Sequence, residues 1–149
     1  MPNDERNAQL DHYETLDLSD LLAAEIESPD DVDLLVLIGQ RYFKSQEFDK
    51  SRDYYVRAVK LDPFDGWSHL YFGNLLYALR CYDDALTHFK YAADFLPENG
   101  CPHWCMGDTY HALGDLNNAD SHYHKAVEID PDDPTAIQNL NRWLAINQG

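Results

Sequence analysis

A chain of 149 residues, 44% of them hydrophobic, has the length of about one domain and enough apolar content for a continuous core. Its 27 acids against 11 Lys and Arg give a formal net charge of −16, a field that repels nucleic acid and anionic membrane and favours basic partners. No apolar run approaches the roughly 20 residues that cross a bilayer, the first nine residues are polar and show no secretory signal, and three cysteines, an odd number, fit a reducing cytoplasm better than a disulfide framework.

Residues 1–31 form an acidic leader, with eleven acids and one base (Arg6) up to residue 33. Met1 to Asp11 reads as disordered. Leu16, Leu18, Leu21, Leu22 and Ile26 then predict a short amphipathic helix over 16–27. Ser28-Pro29-Asp30-Asp31 reads as a helix start, with Ser28 as the cap and Pro29 in the first turn. Three placements fit the leader helix: capping the array that follows, pairing two chains into a homodimer through residues 16–27, or lying in a groove as an internal pseudo-ligand.

From residue 32 onward the chain repeats itself every 34 residues. Gly39, Gly73 and Gly107 form one column, and Pro63, Pro97 and Pro131 another. Ser51/Ala85/Ala119, Tyr55/Phe89/Tyr123 and Ala58/Ala92/Ala126 keep the same register. A fixed period of this size marks supersecondary units that bury a core by stacking. Units are expected at 32–65, 66–99 and 100–133. Each reads as two helices, such as one carrying Leu70, Phe72, Leu75, Leu76 and Leu79 and a second carrying Ala85, Leu86, Phe89, Ala92 and Ala93. The closing prolines end each second helix. The mid-helix glycines are expected to face the small Ser51, Ala85 or Ala119, with the aromatic column filling the space between successive units. Pro134 starts a last helix, 134–149, docked by Ile137, Leu140, Trp143 and Leu144 with a polar outer face, as an end cap requires.

These residues resemble the tetratricopeptide repeat family over about 32–133. The matching positions are the glycine column, Tyr42/Leu76/Tyr110 three residues on, the small, aromatic and Ala columns of the second helices, and the closing prolines. Leu35, His69 and His103 replace the early aromatic of the motif, and the inter-helix Gly appears only as Gly114, with Gln46 and Arg80 in the other copies. The resemblance implies an all-α, right-handed superhelix of three helix pairs between a leader helix and a capping helix. It also implies a non-catalytic scaffold whose first helices line a concave, peptide-binding groove. The groove would hold Val36, Gln40, Phe43 and Lys44, then Trp67, Leu70, Tyr71, Asn74 and Tyr77, then Cys101, Trp104, Cys105, Asp108 and His111. The family's carboxylate-clamp positions fall on Val36, Gln40, Tyr71, Cys101 and Cys105, without basic charge, which disfavours that mode. The layout is also similar to class II chaperones of type III secretion, an alternative reading, although the leader lacks their Gly-Gly-Thr sequence.

Catalytic chemistry is thin. There is no phosphate loop and no nucleophile elbow, and no cofactor or metal is expected. The remote alternative is a thiol- or metal-dependent enzyme using Cys101 or Cys105 with His111, which share one helical face with Asp108. The spacing lacks the paired ligands of structural zinc sites. His69 and His103 occupy a packing column and read as satisfied core histidines. The expected partner is a basic, apolar peptide.

Overall fold

The structure, a computed structural model, describes residues 3–147, with the side chains of Asn3, Asp4 and Arg6 excepted. All regular structure among these residues is helical: α1 (Asn3–Thr15), α2 (Leu18–Glu27), α3 (Val32–Lys44), α4 (Phe48–Leu61), α5 (Gly66–Ala78), α6 (Tyr82–Phe95), α7 (Cys101–Ala112), α8 (Leu116–Ile129) and α9 (Pro134–Asn147). The chain is an all-α helical repeat. It divides into two compact units, one running to Pro63 and one starting at Phe64.

In the first unit α3 and α4 form a helix pair, and α1 and α2 both pack on α3. Its core joins Tyr13, Leu21, Leu34, Leu37, Ile38 and Tyr42, with Leu16, Leu18 and Leu22 against them. Helix α2 continues the 34-residue register backwards: Leu21 lies one period before Tyr55, Ala24 before Ala58 and Pro29 before Pro63. The Glu25 carboxylate pins it to α4, accepting from the Tyr54 hydroxyl at 2.7 Å and from Arg57 at 2.6 Å. Those bonds turn the next residue outward, and Ile26 is 80% exposed rather than packed as expected.

Two expectations for the leader are corrected. Residues 3–11 are not disordered but belong to α1. That helix is polar, and among its described side chains only Tyr13, near its end, is buried, so it leaves no apolar period to read. The Tyr13 hydroxyl donates to Asp31 at 3.2 Å and accepts from Gln9 at 2.7 Å, while Arg41 donates to the Glu14 carbonyl at 3.0 Å. Ser28 is also not the cap of α3. It closes α2, and Asp31 caps α3 by accepting from the Leu34 amide at 3.2 Å. The longer reach of the Asp31 carboxylate, three residues before that amide, satisfies an orphan helical donor that Ser28 is too far away to meet.

The second unit pairs α5 with α6 and α7 with α8, and lays α9 over α7 and α8. One cluster gathers Leu70, Leu76, Leu86, Phe89, Cys105 and Met106. Another gathers Ala119, Tyr123 and Trp143, with Trp104, Tyr110, Leu140 and Leu144 packed on it. The Trp143 indole donates to Asp120 at 2.7 Å, which locks α9 onto α8.

The glycine column works differently from the small-on-small contact expected. A Cβ at Gly39, Gly73 or Gly107 would meet the ring of Tyr55 at 2.6 Å, Phe89 at 2.6 Å or Tyr123 at 2.8 Å. The aromatic column therefore fills space inside its own helix pair, over a glycine, and not between units. The small residue serves the same approach: Ser51 is fully buried and donates to the Gly39 carbonyl at 2.9 Å.

Each first helix ends in the same turn. The amides of Glu47, Cys81 and Asp115 donate back to the carbonyls of Tyr42, Leu76 and Tyr110, all at 2.9 Å. Gln46, Arg80 and Gly114 sit between them at φ of 62°, 61° and 78°. This is the six-to-one closure that needs a left-handed residue just past the helix. Two of the three copies place a side chain where glycine is favoured, at a cost of about 1 kcal/mol. Gln46→Gly and Arg80→Gly are each expected to stabilise by about 0.5–1 kcal/mol, and Gly114→Ala to destabilise by about 1 kcal/mol, measured by thermal or urea denaturation.

Candidate functional site

Helix α5 presents an aromatic stripe. Trp67, Tyr71, Asn74 and Tyr77 follow one another at steps of four, three and three residues, which a helix places on one side. The Trp67 and Tyr71 rings stack at 6.3 Å between centroids, and Trp67 keeps 42% of its surface exposed. Asn74 is half-buried and accepts from the Cys105 thiol at 3.6 Å, tying the stripe to α7. Tyr77 is exposed and lies 5.5 Å from the Tyr82 ring. Burial, then the nearby Asp108 charge, raises the Tyr77 hydroxyl above its ordinary pKa.

Beside Tyr77, helices α7 and α9 complete a polar pocket of about 290 Å³ lined by Tyr77, Asp108, His111, Ala112 and Arg142. Asp108 accepts from the Tyr123 hydroxyl at 2.5 Å and from Arg142 at 3.3 Å. His111 is exposed, and its ring meets the Trp143 ring edge-on at 5.2 Å.

Other predicted residues fall elsewhere. Leu70, 2% exposed, and Cys105 belong to the core of the second unit and present no surface. Trp104 is half-buried, packs on both clusters of that unit, and has a buried indole N–H that finds no acceptor among the described residues. In the first unit Val36 is buried, Gln40 and Phe43 are half-buried with Phe43 against Phe48 at 5.7 Å, and Lys44 is exposed.

The Cys105 thiol is not poised as a nucleophile. Burial, then the hydrogen bond with Cys101, raises the Cys105 thiol well above its ordinary pKa, the opposite of what a reactive thiolate requires. Among the described residues no group of three or more His, Cys, Asp or Glu is placed to hold a metal ion. No helix there is long and apolar enough to cross a membrane.

The structure also brings together histidines that sequence reasoning did not pair. His69 Nδ1 lies 2.9 Å from His88 Nδ1, and His103 Nδ1 lies 3.0 Å from His122 Nδ1. These bridges join the two helices of successive repeats. The signal was in the register, since 69 and 103, and 88 and 122, are each one period apart. In each bridge one ring donates from Nδ1–H and the other accepts on a bare Nδ1. Burial, reinforced by the partner ring, lowers His88 and His122 to about 4. Burial, then Lys125, lowers His103.

Comparison with known proteins agrees with the fold. The tetratricopeptide repeat profile matches residues 32–65, and a second profile of the same repeat matches 107–140. No curated protein matches the chain. Among solved structures, MamA is 16% identical with a TM-score of 0.74, over 88% of this chain and 77% of that one. The first repeat domain of Spaghetti (RPAP3), bound to the HSP90 peptide SRMEEVD, is 19% identical with a TM-score of 0.70, over 79% and 94%. YrrB, a repeat protein with an unusual peptide-binding site, is 22% identical with a TM-score of 0.71, over 87% and 66%. With its repeat register, helix pairs and two matching repeat profiles, the chain belongs to the tetratricopeptide repeat family of protein–protein interaction scaffolds.

Proposed function

We propose that the chain is a non-catalytic module that holds a peptide segment of a partner protein along the aromatic stripe of α5. The observation that carries this reading is the stacked Trp67–Tyr71 pair, with Trp67 exposed, on the same side of α5 as the polar Asn74. Trp and Tyr are the residues that most often anchor an interface, because they desolvate a large rigid area at little entropic cost. Asn74 would bond the peptide backbone, and Tyr77, Asp108 and His111 would extend the contact. Gln40, Phe43 and Lys44 are candidate contacts on the first unit. Solved relatives of the same fold hold peptides, among them Spaghetti with its HSP90 peptide. The charge of −16 favours Lys- and Arg-bearing ligands, mainly through faster association that weakens with salt.

Burial of two or three aromatic anchors, less the ordering cost, gives a micromolar-class affinity, about −8 kcal/mol. The test is a fluorescence titration with peptides selected from a randomised display library. Trp67→Ala is expected to weaken binding about tenfold, or about 1.4 kcal/mol. Because Trp104 packs into the core, Asn74→Ala is the cleaner second variant. If both variants keep every selected peptide within about twofold, less than about 0.5 kcal/mol, the stripe is not the site.

A further inference from the structure

The pocket beside Tyr77 carries a more specific assignment, which rests on the peptide-binding reading above. We propose that it receives the guanidinium of one arginine of the bound peptide, and that Arg142 occupies that place in the free protein. Among the described residues, the Asp108 carboxylate accepts on Oδ1 from both the Tyr123 hydroxyl and Arg142 Nη2. The Tyr123 bond is short at 2.5 Å and fixes the carboxylate from below. The Arg142 bond is long at 3.3 Å, made through one nitrogen, by a side chain 61% exposed. A well-formed Arg–carboxylate pair is a fork of two bonds near 2.7–2.9 Å, give or take about 0.1 Å. Arg142 thus neutralises the carboxylate without engaging it fully.

A ligand guanidinium entering from the Tyr77 side has the better geometry. Its planar fork can span Oδ1 and Oδ2 once Arg142 swings out to solvent, and its face can lie on the Tyr77 ring. The pocket's volume of about 290 Å³ suits a single side chain. The compact ammonium of lysine offers neither fork nor face, so arginine is preferred over lysine. Arg142 sits on α9, outside the buried clusters, and can leave without unpacking the core.

The experiment titrates the full-length ¹⁵N-labelled chain with the blocked tripeptide Ac-Ala-Arg-Ala-NH2, and with its lysine and citrulline counterparts. Citrulline keeps the shape of arginine and removes the charge. The arginine peptide is expected to give saturable amide shifts at Tyr77, Asp108, His111 and Ala112, with affinity at least about fivefold above either counterpart. Arg142→Ala is expected to tighten binding about three- to tenfold by removing the internal competitor. Asp108→Asn is expected to weaken it more than tenfold. Citrulline equal to arginine, or weaker binding in Arg142→Ala, overturns the assignment. Because Arg142 is exposed, its variant remains informative even if Asp108→Asn, which disturbs Tyr123, fails to fold. Library-selected peptides that lose affinity in Trp67→Ala but bind unchanged to Arg142→Ala and Asp108→Asn would leave the stripe standing and remove the pocket. The reverse pattern would leave the pocket and remove the stripe.

Discussion

Acidification from pH 7 to pH 5 is expected to destabilise the chain, and His88 and His122 are expected to account for most of the loss. In the folded state both remain neutral until about pH 4. In the unfolded chain they titrate near 6.5. Unfolding therefore takes up protons between those values, and stability present above about pH 6.5 falls progressively toward pH 4. The charges around the bridges do not reverse this. Asp84 favours the charged form of His88, but burial and His69 outweigh it. Lys90 and the His103 ring oppose charge on His122, and Lys125 opposes it on His103. Both rings are half-buried, so solvent screening reduces the effect to about 1 kcal/mol for each histidine at pH 5. Urea denaturation at pH 7, 6 and 5 measures it. The double variant His88→Gln/His122→Gln keeps a hydrogen-bonding group against each partner ring and should flatten the profile. An unchanged slope in that variant would show that the bridges are not the sensitive groups.

Gly73→Ala is expected to destabilise by about 2 kcal/mol, against the helix-propensity gain of about 1 kcal/mol that the same change brings at an open site. The new methyl would stand 2.6 Å from Phe89 Cε1 and 2.7 Å from Cδ1, and that ring is buried in the core of the second unit. Gly39→Ala and Gly107→Ala meet Tyr55 and Tyr123 in the same way and should behave alike. The expected shift is roughly 6 °C in Tm for a chain of this size. A stabilised Gly73→Ala variant would mean that the ring does not lie where the structure places it.

These contacts show what the sequence reveals and where it stops. The 34-residue register carries the helix pairs, because each column answers a packing demand repeated in every copy. It does not say which neighbour meets which column. The glycines were expected to face small residues; Ser51 does meet the Gly39 carbonyl, but the space at each glycine's Cα is taken by a ring. The turn at Gln46 and Arg80 was legible only as a departure from the repeat pattern, yet it keeps the backbone conformation of Gly114. Backbone hydrogen bonds close that turn, and they do not depend on the side chain. Helix α1 left no periodic trace because it docks through Tyr13 and a few polar bonds. For the candidate site, the helical spacing of Trp67, Tyr71, Asn74 and Tyr77 was readable. The burial of Leu70 and Cys105 was not, since residues on one stripe differ in depth according to how the next helix packs. The last helix was readable only as having a polar outer face, and the three-dimensional arrangement alone brings its Arg142 to Asp108.

The most direct test of the central claim is an amide and indole shift map of the full chain with a library-selected peptide. The account predicts saturable shifts of the Trp67 indole and of the amides of Trp67, Tyr71, Asn74 and Tyr77 on α5. Shifts confined to the exposed faces of α6 and α8, around Thr87, Lys90 and Lys125, with the Trp67 indole unmoved, would contradict it.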